Sequence, residues 1–255
     1  MPRFFVRRDA ISDGTVHITG EDAHHISRSL RMAAGEHITV CDMQKVEYQC
    51  VLERFTEEGV FARILSEEPS DTEPPYFATV YQALPKGDKM DSIIQKSVEC
   101  GVSRIVPFES ERCIVRVKPE AEAKKAERRT RIAAEAAKQS GRGMLPEVAE
   151  TVSFSEMLDA ASKADLCLFC YEGDGTLPLG EVLRRTHIAD RIEAGGTPTV
   201  SIVIGSEGGF SLEETQRAEE AGMILCGLGK RILRTETAAA FVLGCLVYAL
   251  ELSGS

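Results

Sequence analysis

The sequence predicts an α/β protein in two parts: a mostly parallel sheet with covering helices over residues 76–255, preceded by a small β-barrel-like part over residues 1–70. Three observations carry this expectation. Up to about residue 68, the short β-type runs "RFFVRR", "GTVHITG", "EHITVCD", "YQCVLERF" and "GVFARILSEE" follow one another at hairpin spacing, with Asp13-Gly14 and Glu58-Gly59 as turns. The stretch "SDTEPPYF" breaks that pattern; Pro74 and Pro75 lack the N–H that a strand ladder needs, so residues 71–75 read as a linker. Beyond it, strand-like and helix-like segments alternate, as in a parallel sheet covered on both faces.

In chain order the second part opens with the strand "FATVYQALP" and a helix in "GDKMDSIIQKSVECG", where Met90, Ile93, Ile94, Ser97 and Val98 fall on one face and Gly101 closes the end. "RIVPFES" is the next strand. A long charged helix follows from about Pro119 to Ser140, with Gly141 as its C-terminal cap. Then come "LPEVAE", a helix near Phe154 to Ser162, the strand "DLCLFCYE", an irregular stretch around 178–194, and the strand "TVSIVIG". A glycine-rich loop, a helix, the strand "MILCGLG" and an apolar helix from about Thr235 to Leu252 complete the series.

Composition bounds the function. With 30 basic and 40 acidic residues the formal charge is −10, which argues against indiscriminate coating of nucleic acid but leaves room for local basic patches. The start "MPRFFVRRDA" lacks the apolar core of a signal peptide, and "AAAFVLGCLVYALE" falls short of the roughly 20 residues a membrane span needs, so a cytoplasmic protein without membrane contact is expected. Eight cysteines scattered through apolar runs suit buried reduced thiols. Cys167 and Cys170 form a CxxC inside a strand, where residues three apart face opposite ways, and His24-His25 has no third ligand nearby. No metal is expected.

Ligands of open α/β sheets lie beyond the carboxyl ends of the strands, which directs attention to two corners. Gly205-Ser206-Glu207-Gly208-Gly209-Phe210 lacks the lysine of a phosphate loop and carries a carboxylate that would repel phosphate; the G-x-G-x-x-G dinucleotide spacing is absent too. Bare backbone at the glycines suits a ligand with little negative charge, such as S-adenosylmethionine. The second corner, Leu228 to Ala238, runs from Gly229 through Lys230, Arg231 and Arg234 to a helix start with Thr235 as its expected N-cap. Two such loops, about 25 residues apart, can meet across neighbouring strands.

"IGSEGGFS" followed by "LGKRILRTETAA" resembles the signature motifs of the SPOUT methyltransferases, specifically the bacterial family that methylates N3 of a uridine near the 3′ end of 16S rRNA. "MPRFFV", "HHISRSLRMAAGEHITVCD", "ALPKGDKMDSIIQKSVECGV", "SERCIVR" and "RIAAEAAKQSGR" extend the resemblance, in order, over nearly the whole chain. Two positions depart from the family pattern: Ser206 stands where proline is usual, and Arg129 where tryptophan is common. The resemblance implies a PUA-like barrel for RNA, a SPOUT domain with a deep trefoil knot, and a homodimer.

It also implies a site. S-adenosyl-L-methionine would lie bent between the two corners, held by Gly205, Ser206, Glu207, Gly208 and Gly209 on one side and Leu228, Gly229, Ile232, Leu233 and Thr237 on the other, with Tyr171 and Glu172 lining the space. Methylation of the imide nitrogen requires loss of its proton, so a base or a cation that stabilises the developing anion is needed; Arg234 and Glu236 are the candidates, and a structural ion pair between them is the alternative reading. For 16S rRNA of the small ribosomal subunit, the candidate contacts are Arg3, Arg7, Arg28 and Arg31 in the first part, and in the second Lys86 and Lys89 beside the first strand end together with Arg112 and Arg128, these last two in a stretch from Arg112 to Arg131 that holds eight basic residues (Arg112, Arg116, Lys118, Lys124, Lys125, Arg128, Arg129, Arg131) against three acidic ones (Glu120, Glu122, Glu127). Methylation of a ribose 2′-hydroxyl or another base, and a non-catalytic RNA-binding or ribosome-assembly role, are the competing readings.

Overall fold

A computed structural model describes residues 1–117 and 119–253. The chain divides into two compact units, Met1–Glu73 with Ala137–Leu145, and Pro74–Ala136 with Pro146–Ser255. Lys118 lies outside the described residues.

The first unit is a curled six-stranded sheet built from β1 (Arg3–Phe5), β2 (Ile11–Ser12), β3 (Thr15–Ile18), β4 (His37–Cys41), β5 (Val46–Thr56) and β6 (Gly59–Pro69), in the order β1-β4-β5-β6-β3-β2. Only β1 and β4 pair in parallel. Period-two alternation sends Val16 and Ile18 inward to join Phe4, Ile26, Ile38, Tyr48 and Leu52 in a closed core. A short helix α1 (Gly20–His24), extended by a single π-turn over His25–Ser29, supplies Ile26. The segment Ala137–Leu145 returns to this unit through ion pairs: Lys138 meets Asp22 at 2.5 Å, and the buried guanidinium of Arg142 grips Glu73 at 2.6 and 2.9 Å. The Gly143 N–H donates to the same Glu73 carboxylate, so this buried pair is also hydrogen-bonded, the condition under which it is tolerated.

The second unit contains β7 (Phe77–Ala83), α2 (Lys89–Glu99), β8 (Arg104–Glu109), α3 (Pro119–Gln139, whose last three residues belong to the first unit), β9 (Glu147–Val148), β10 (Val152–Ser153), α4 (Phe154–Ala161), β11 (Leu166–Cys170), β12 (Leu177–Pro178), α5 (Leu179–Arg185), α6 (Ile188–Glu193), β13 (Thr199–Ile204), α7 (Leu212–Glu220), β14 (Ile224–Gly227) and α8 (Thr235–Val247). Its sheet runs β10-β8-β7-β13-β11-β14-β12, with β9 beside β8, and every described pair is parallel. Val80, Ile105, Leu168 and Ile202 are wholly buried, as expected of strands covered on both faces.

The order corrects one expectation. β13 inserts between β7 and β11, and β14 adds on the far side of β11, so the two glycine corners are not on neighbouring strands. A third strand end lies between them.

Helix α8 is buried along one side only. Ala238, Val242, Leu243 and Leu246 are buried, whereas Phe241 and Tyr248 are exposed on the opposite side. With a π-turn over Tyr248–Leu252 it reaches 18 residues, long and apolar enough by length and composition to cross a membrane, yet a third of it is buried within the unit. All eight cysteines are free. Burial pushes the Cys50 and Cys226 thiols up to about 12, which keeps them protonated and inert at neutral pH.

Candidate active site

Three adjacent strand ends, those of β13, β11 and β14, form a row at the carboxyl edge of the second unit's sheet. Outer members of such a row are two strand spacings apart, about 9–10 Å. The central member contributes Tyr171 and Glu172, which explains why a ligand spanning both corners must pass them. The Tyr171 N–H continues the ladder by donating to the Cys226 carbonyl at 3.0 Å. Its ring occupies the space where a side chain at Gly173 would fall.

The corner after β13 is tightly determined. Gly209, at φ +63°, donates to the Ser206 carbonyl at 3.0 Å and closes the turn. A Cβ on Gly205 would stand 3.2 Å from the Phe210 ring and 3.3 Å from the Gly209 Cα. Phe210 is itself buried against Phe169, with ring centroids 4.2 Å apart. Ser211 caps α7 in a reciprocal box with Glu214, a Ser-x-x-Glu signal legible in "SLEE". Buried Glu214 also accepts from the Glu111 N–H at 2.8 Å, and Arg112 donates to the Gly208 carbonyl at 3.2 Å. The whole turn is therefore held from beneath and from the side.

Glu207 does not face the ligand space alone. Lys89 sits 2.7 Å from its carboxylate, and the Lys86 N–H donates to it at 3.1 Å. Burial works to raise this carboxyl, but the Lys89 ammonium and the backbone donors outweigh it and hold Glu207 below its ordinary value. The negative charge that sequence reading assigns to the loop is largely answered by α2.

The corner after β14 is open by contrast. Gly229 adopts φ +106°, and Lys230, Arg231 and Ile232 are exposed, Ile232 to 83%. Arg234, not Thr235, is the N-cap of α8; its carbonyl accepts from the Thr237 and Ala238 N–H groups at 2.8 and 3.1 Å. Thr235 is the first helical residue and has a different task. Its hydroxyl donates to the Gly205 carbonyl at 2.7 Å and accepts from the buried Gln82 amide at 2.9 Å. Gln82, on β7, also donates to the Ala83 carbonyl. These bonds fasten the start of α8 to the end of β13 across the intervening gap. Neither Gln82 nor Thr235 stands out in the sequence as a site residue, because nothing in their local spacing marks a contact 153 residues apart.

The candidate catalytic pair lies at this junction. Arg234 is 83% exposed at its side chain and 3.9 Å from Glu236; Glu236 lies 3.6 Å from Lys89. The structure thus brings Gly205 to Gly209, Tyr171, Glu172, Leu228, Gly229, Leu233, Arg234 and Glu236 to one edge of the sheet, while the Ile232 side chain projects to solvent and Thr237 is exposed on α8.

The candidate RNA contacts divide. Arg7, Arg28, Arg31 and Lys86 are exposed, Arg7 beside Asp9. Arg128 is paired with Asp91, and Arg116 with Glu109 and the Ser110 carbonyl. Two of the candidates are engaged in ion pairs within the protein. Arg3 is only 16% exposed at its side chain and spends its fork on Glu47 at 2.7 and 2.9 Å, leaving it a structural partner in the first unit. Lys89 is held by two carboxylates. Arg129, the departure from the tryptophan usual in similar sequences, is buried, with Glu122 at 3.0 Å and the Thr151 hydroxyl at 3.2 Å answering its charge. Among the described residues, no group of three or more His, Cys, Asp and Glu is arranged to hold a metal ion. A separate cavity of about 490 Å³, lined by Glu109, Arg116, Glu122 and Thr151 among others, lies at the ends of β8 and β10 rather than at the glycine corners.

These features define a class: an α/β protein whose parallel sheet presents glycine-containing corners at its carboxyl edge, accompanied by a small β unit. Residues 72–247 match the model of the RNA methyltransferase domain, and residues 18–65 that of the RNA methyltransferase PUA domain. The ribosomal RNA small subunit methyltransferase E of Bacillus subtilis is 35% identical over 255 residues, covering 99% of this chain and 98% of that one. A solved ribosomal RNA small subunit methyltransferase E from Neisseria gonorrhoeae, bound to S-adenosyl methionine, is 32% identical with a TM-score of 0.83 over 98% of each chain. A Legionella pneumophila structure carrying the cofactor SAM is 31% identical, with a TM-score of 0.82 over 97% of each. The chain belongs to the RNA methyltransferase family.

Proposed function

We propose that the protein is an S-adenosylmethionine-dependent methyltransferase that modifies N3 of a uridine in 16S rRNA of the small ribosomal subunit. One observation carries the reading: the row of three strand ends, tied by Thr235 to Gly205, in a chain similar along nearly its full length to small-subunit rRNA methyltransferases. The residues fit the cofactor. A Cβ at Gly205 would crowd the Phe210 ring, so the strand end is bare backbone there, and no lysine stands in the loop itself to hold phosphate. Backbone of Gly205 to Gly209 and of Leu228, Gly229 and Leu233 would hold the adenosyl group, with Tyr171 and Glu172 beside it.

S-adenosylmethionine supplies an electrophilic methyl group on a sulfonium. The chain's part is to position the imide nitrogen and to handle its proton. Arg234, exposed beside the row, binds the uridine carbonyl oxygens as negative charge develops there, while the Glu236 carboxylate accepts the N3 proton. Residues 1–70 act as a PUA-like, RNA-holding barrel, 71–75 as the linker and 76–255 as the catalytic SPOUT domain. Insertion of β13 between older neighbours supports a knotted path for the last helix. Each unit offers its own phosphate contacts: Arg7, Arg28 and Arg31 in the first, and Lys86, Arg112 and Arg128 with Lys230 and Arg231 in the second. The substrate sets the reaction in the cytoplasm. The exposed stripe of Phe241, Tyr248 and Leu252 on α8 and its extension supports a homodimer, which Tyr248→Glu should dissociate in sedimentation experiments.

Mass mapping of nucleosides in 16S rRNA from a strain lacking the protein tests the reading. Loss of one N3-methyluridine, restored by the gene, is expected. Loss of a 2′-O-methyl or of another methylated base would replace the uridine assignment, and absence of heat on titration with S-adenosylmethionine would favour a non-catalytic RNA-binding role.

A further inference from the structure

Lys89 occupies an unusual position for a surface lysine. Its ammonium is 2.7 Å from Glu207 in the loop after β13 and 3.6 Å from Glu236 in the first turn of α8. Two carboxylates therefore share one cation, and each comes from a different corner of the site. The shorter contact is a hydrogen bond; the longer one is not, and Glu236 Oε2 is buried with no hydrogen-bond partner among the described residues. A buried carboxylate oxygen without a donor is costly unless a positive charge stands close by. Of the charged groups facing Glu236, Arg234 is 3.9 Å from the other oxygen and fully committed to solvent on its outer side, so the ion that answers Oε2 is Lys89.

We infer that Lys89 is a positioning residue for methyl transfer: anchored on Glu207 at 2.7 Å and standing 3.6 Å from Glu236, it holds the loop after β13 and the first turn of α8 in one arrangement. This rests on the reading of Glu236 as the proton acceptor. It assigns Lys89 no contact with RNA. Removing the Lys89 charge leaves the Glu207 and Glu236 carboxylates without the cation they share, so the two segments lose the group that joins them and the Glu236 side chain loses its placement.

The test is single-turnover methylation of small subunits from a strain lacking the protein, with the rate at saturating S-adenosylmethionine and the cofactor affinity read separately in each variant. Lys89→Met should slow methyl transfer by about tenfold or more, well beyond any loss of cofactor affinity, and Lys89→Arg, which keeps the charge, should restore most of the rate. A rate within about twofold of wild type in Lys89→Met overturns the inference, as does a loss that follows only a lower melting temperature and is recovered on cooling. Glu236→Gln separates the underlying reading from this one. Full turnover in Glu236→Gln removes Glu236 from the mechanism, whereas an inactive Glu236→Gln with an unslowed Lys89→Met overturns only the role of Lys89.

Discussion

The two corners both turn at glycine and are opposite in charge and construction. After β13, nearly every group is held: Phe210 beneath, the Ser211–Glu214 cap behind, Arg112 on the Gly208 carbonyl, and Lys89 on Glu207. After β14, Lys230, Arg231 and Ile232 stand in solvent with few restraints until Arg234 caps α8. The difference teaches that glycine serves two purposes here. In the first corner it removes side chains so that packed backbone can come close; in the second, Gly229 at φ +106° turns the chain and lets cations project outward. A fixed corner suits a small ligand recognised through backbone, and an open one suits a large polyanion met by charge.

Perturbing each corner should give a different kind of loss. The largest effect belongs to Arg234→Ala: turnover should fall by about 100-fold or more while affinity for S-adenosylmethionine, measured by calorimetry, stays within a few-fold. Unchanged turnover would remove Arg234 from catalysis and make the open corner a binding surface only. Gly205→Val should instead weaken cofactor binding by roughly tenfold or more, because its branched side chain meets the Phe210 ring and overpacking costs about 1–3 kcal/mol. Equal cofactor affinity in that variant would mean that the fixed corner is not where the ligand lies. Thr235→Val cuts the bond between the corners and strands the Gln82 amide and the Gly205 carbonyl; about 1–3 kcal/mol of stability should be lost on urea unfolding.

Smaller effects sharpen the contrast. Replacing Lys230 and Arg231 together by alanine should leave cofactor binding untouched and reduce the salt dependence of RNA affinity by a slope of about 1.5. A reduced cofactor affinity with an unchanged slope would assign those cations to the ligand instead. The smallest effect is on pH. The carboxyl of Glu207 is lowered on folding, so its contribution is present above the ordinary carboxylate value near about 4.3 and is lost as pH falls through the lowered folded value. Unfolding of Glu207→Gln should therefore show a shallower acid dependence than wild type, and an identical dependence would mean that the Lys89 contact contributes nothing to folding.

Much of this architecture is legible in the residues. The β-type runs, the helical face of Met90, Ile93, Ile94 and Val98, and the two turns after β13 and β14 lie where their patterns indicate. The Ser211–Glu214 cap follows from spacing alone. What spacing could not disclose is which strand lies beside which, since parallel strands pair through crossovers whose lengths do not fix their neighbours. That is why β11 separates the two corners and why Tyr171 and Glu172 are central. Nor could local sequence separate Arg3, spent on Glu47, from exposed Arg7, or reveal that Arg129 is buried beside Glu122.

By itself the sequence determined the chemical character of the site: glycine where backbone must approach, no lysine in the loop after β13 to hold phosphate, and cations after Gly229. These are properties of side chains and need no neighbours. Only the tertiary structure decided that Thr235 binds the Gly205 carbonyl, that Gln82 supports it, and that Lys89 stands between Glu207 and Glu236. Each of those contacts joins residues far apart in the chain, and hydrogen bonds and ion pairs depend on distances of a few ångströms that only the folded sheet and its crossovers can set.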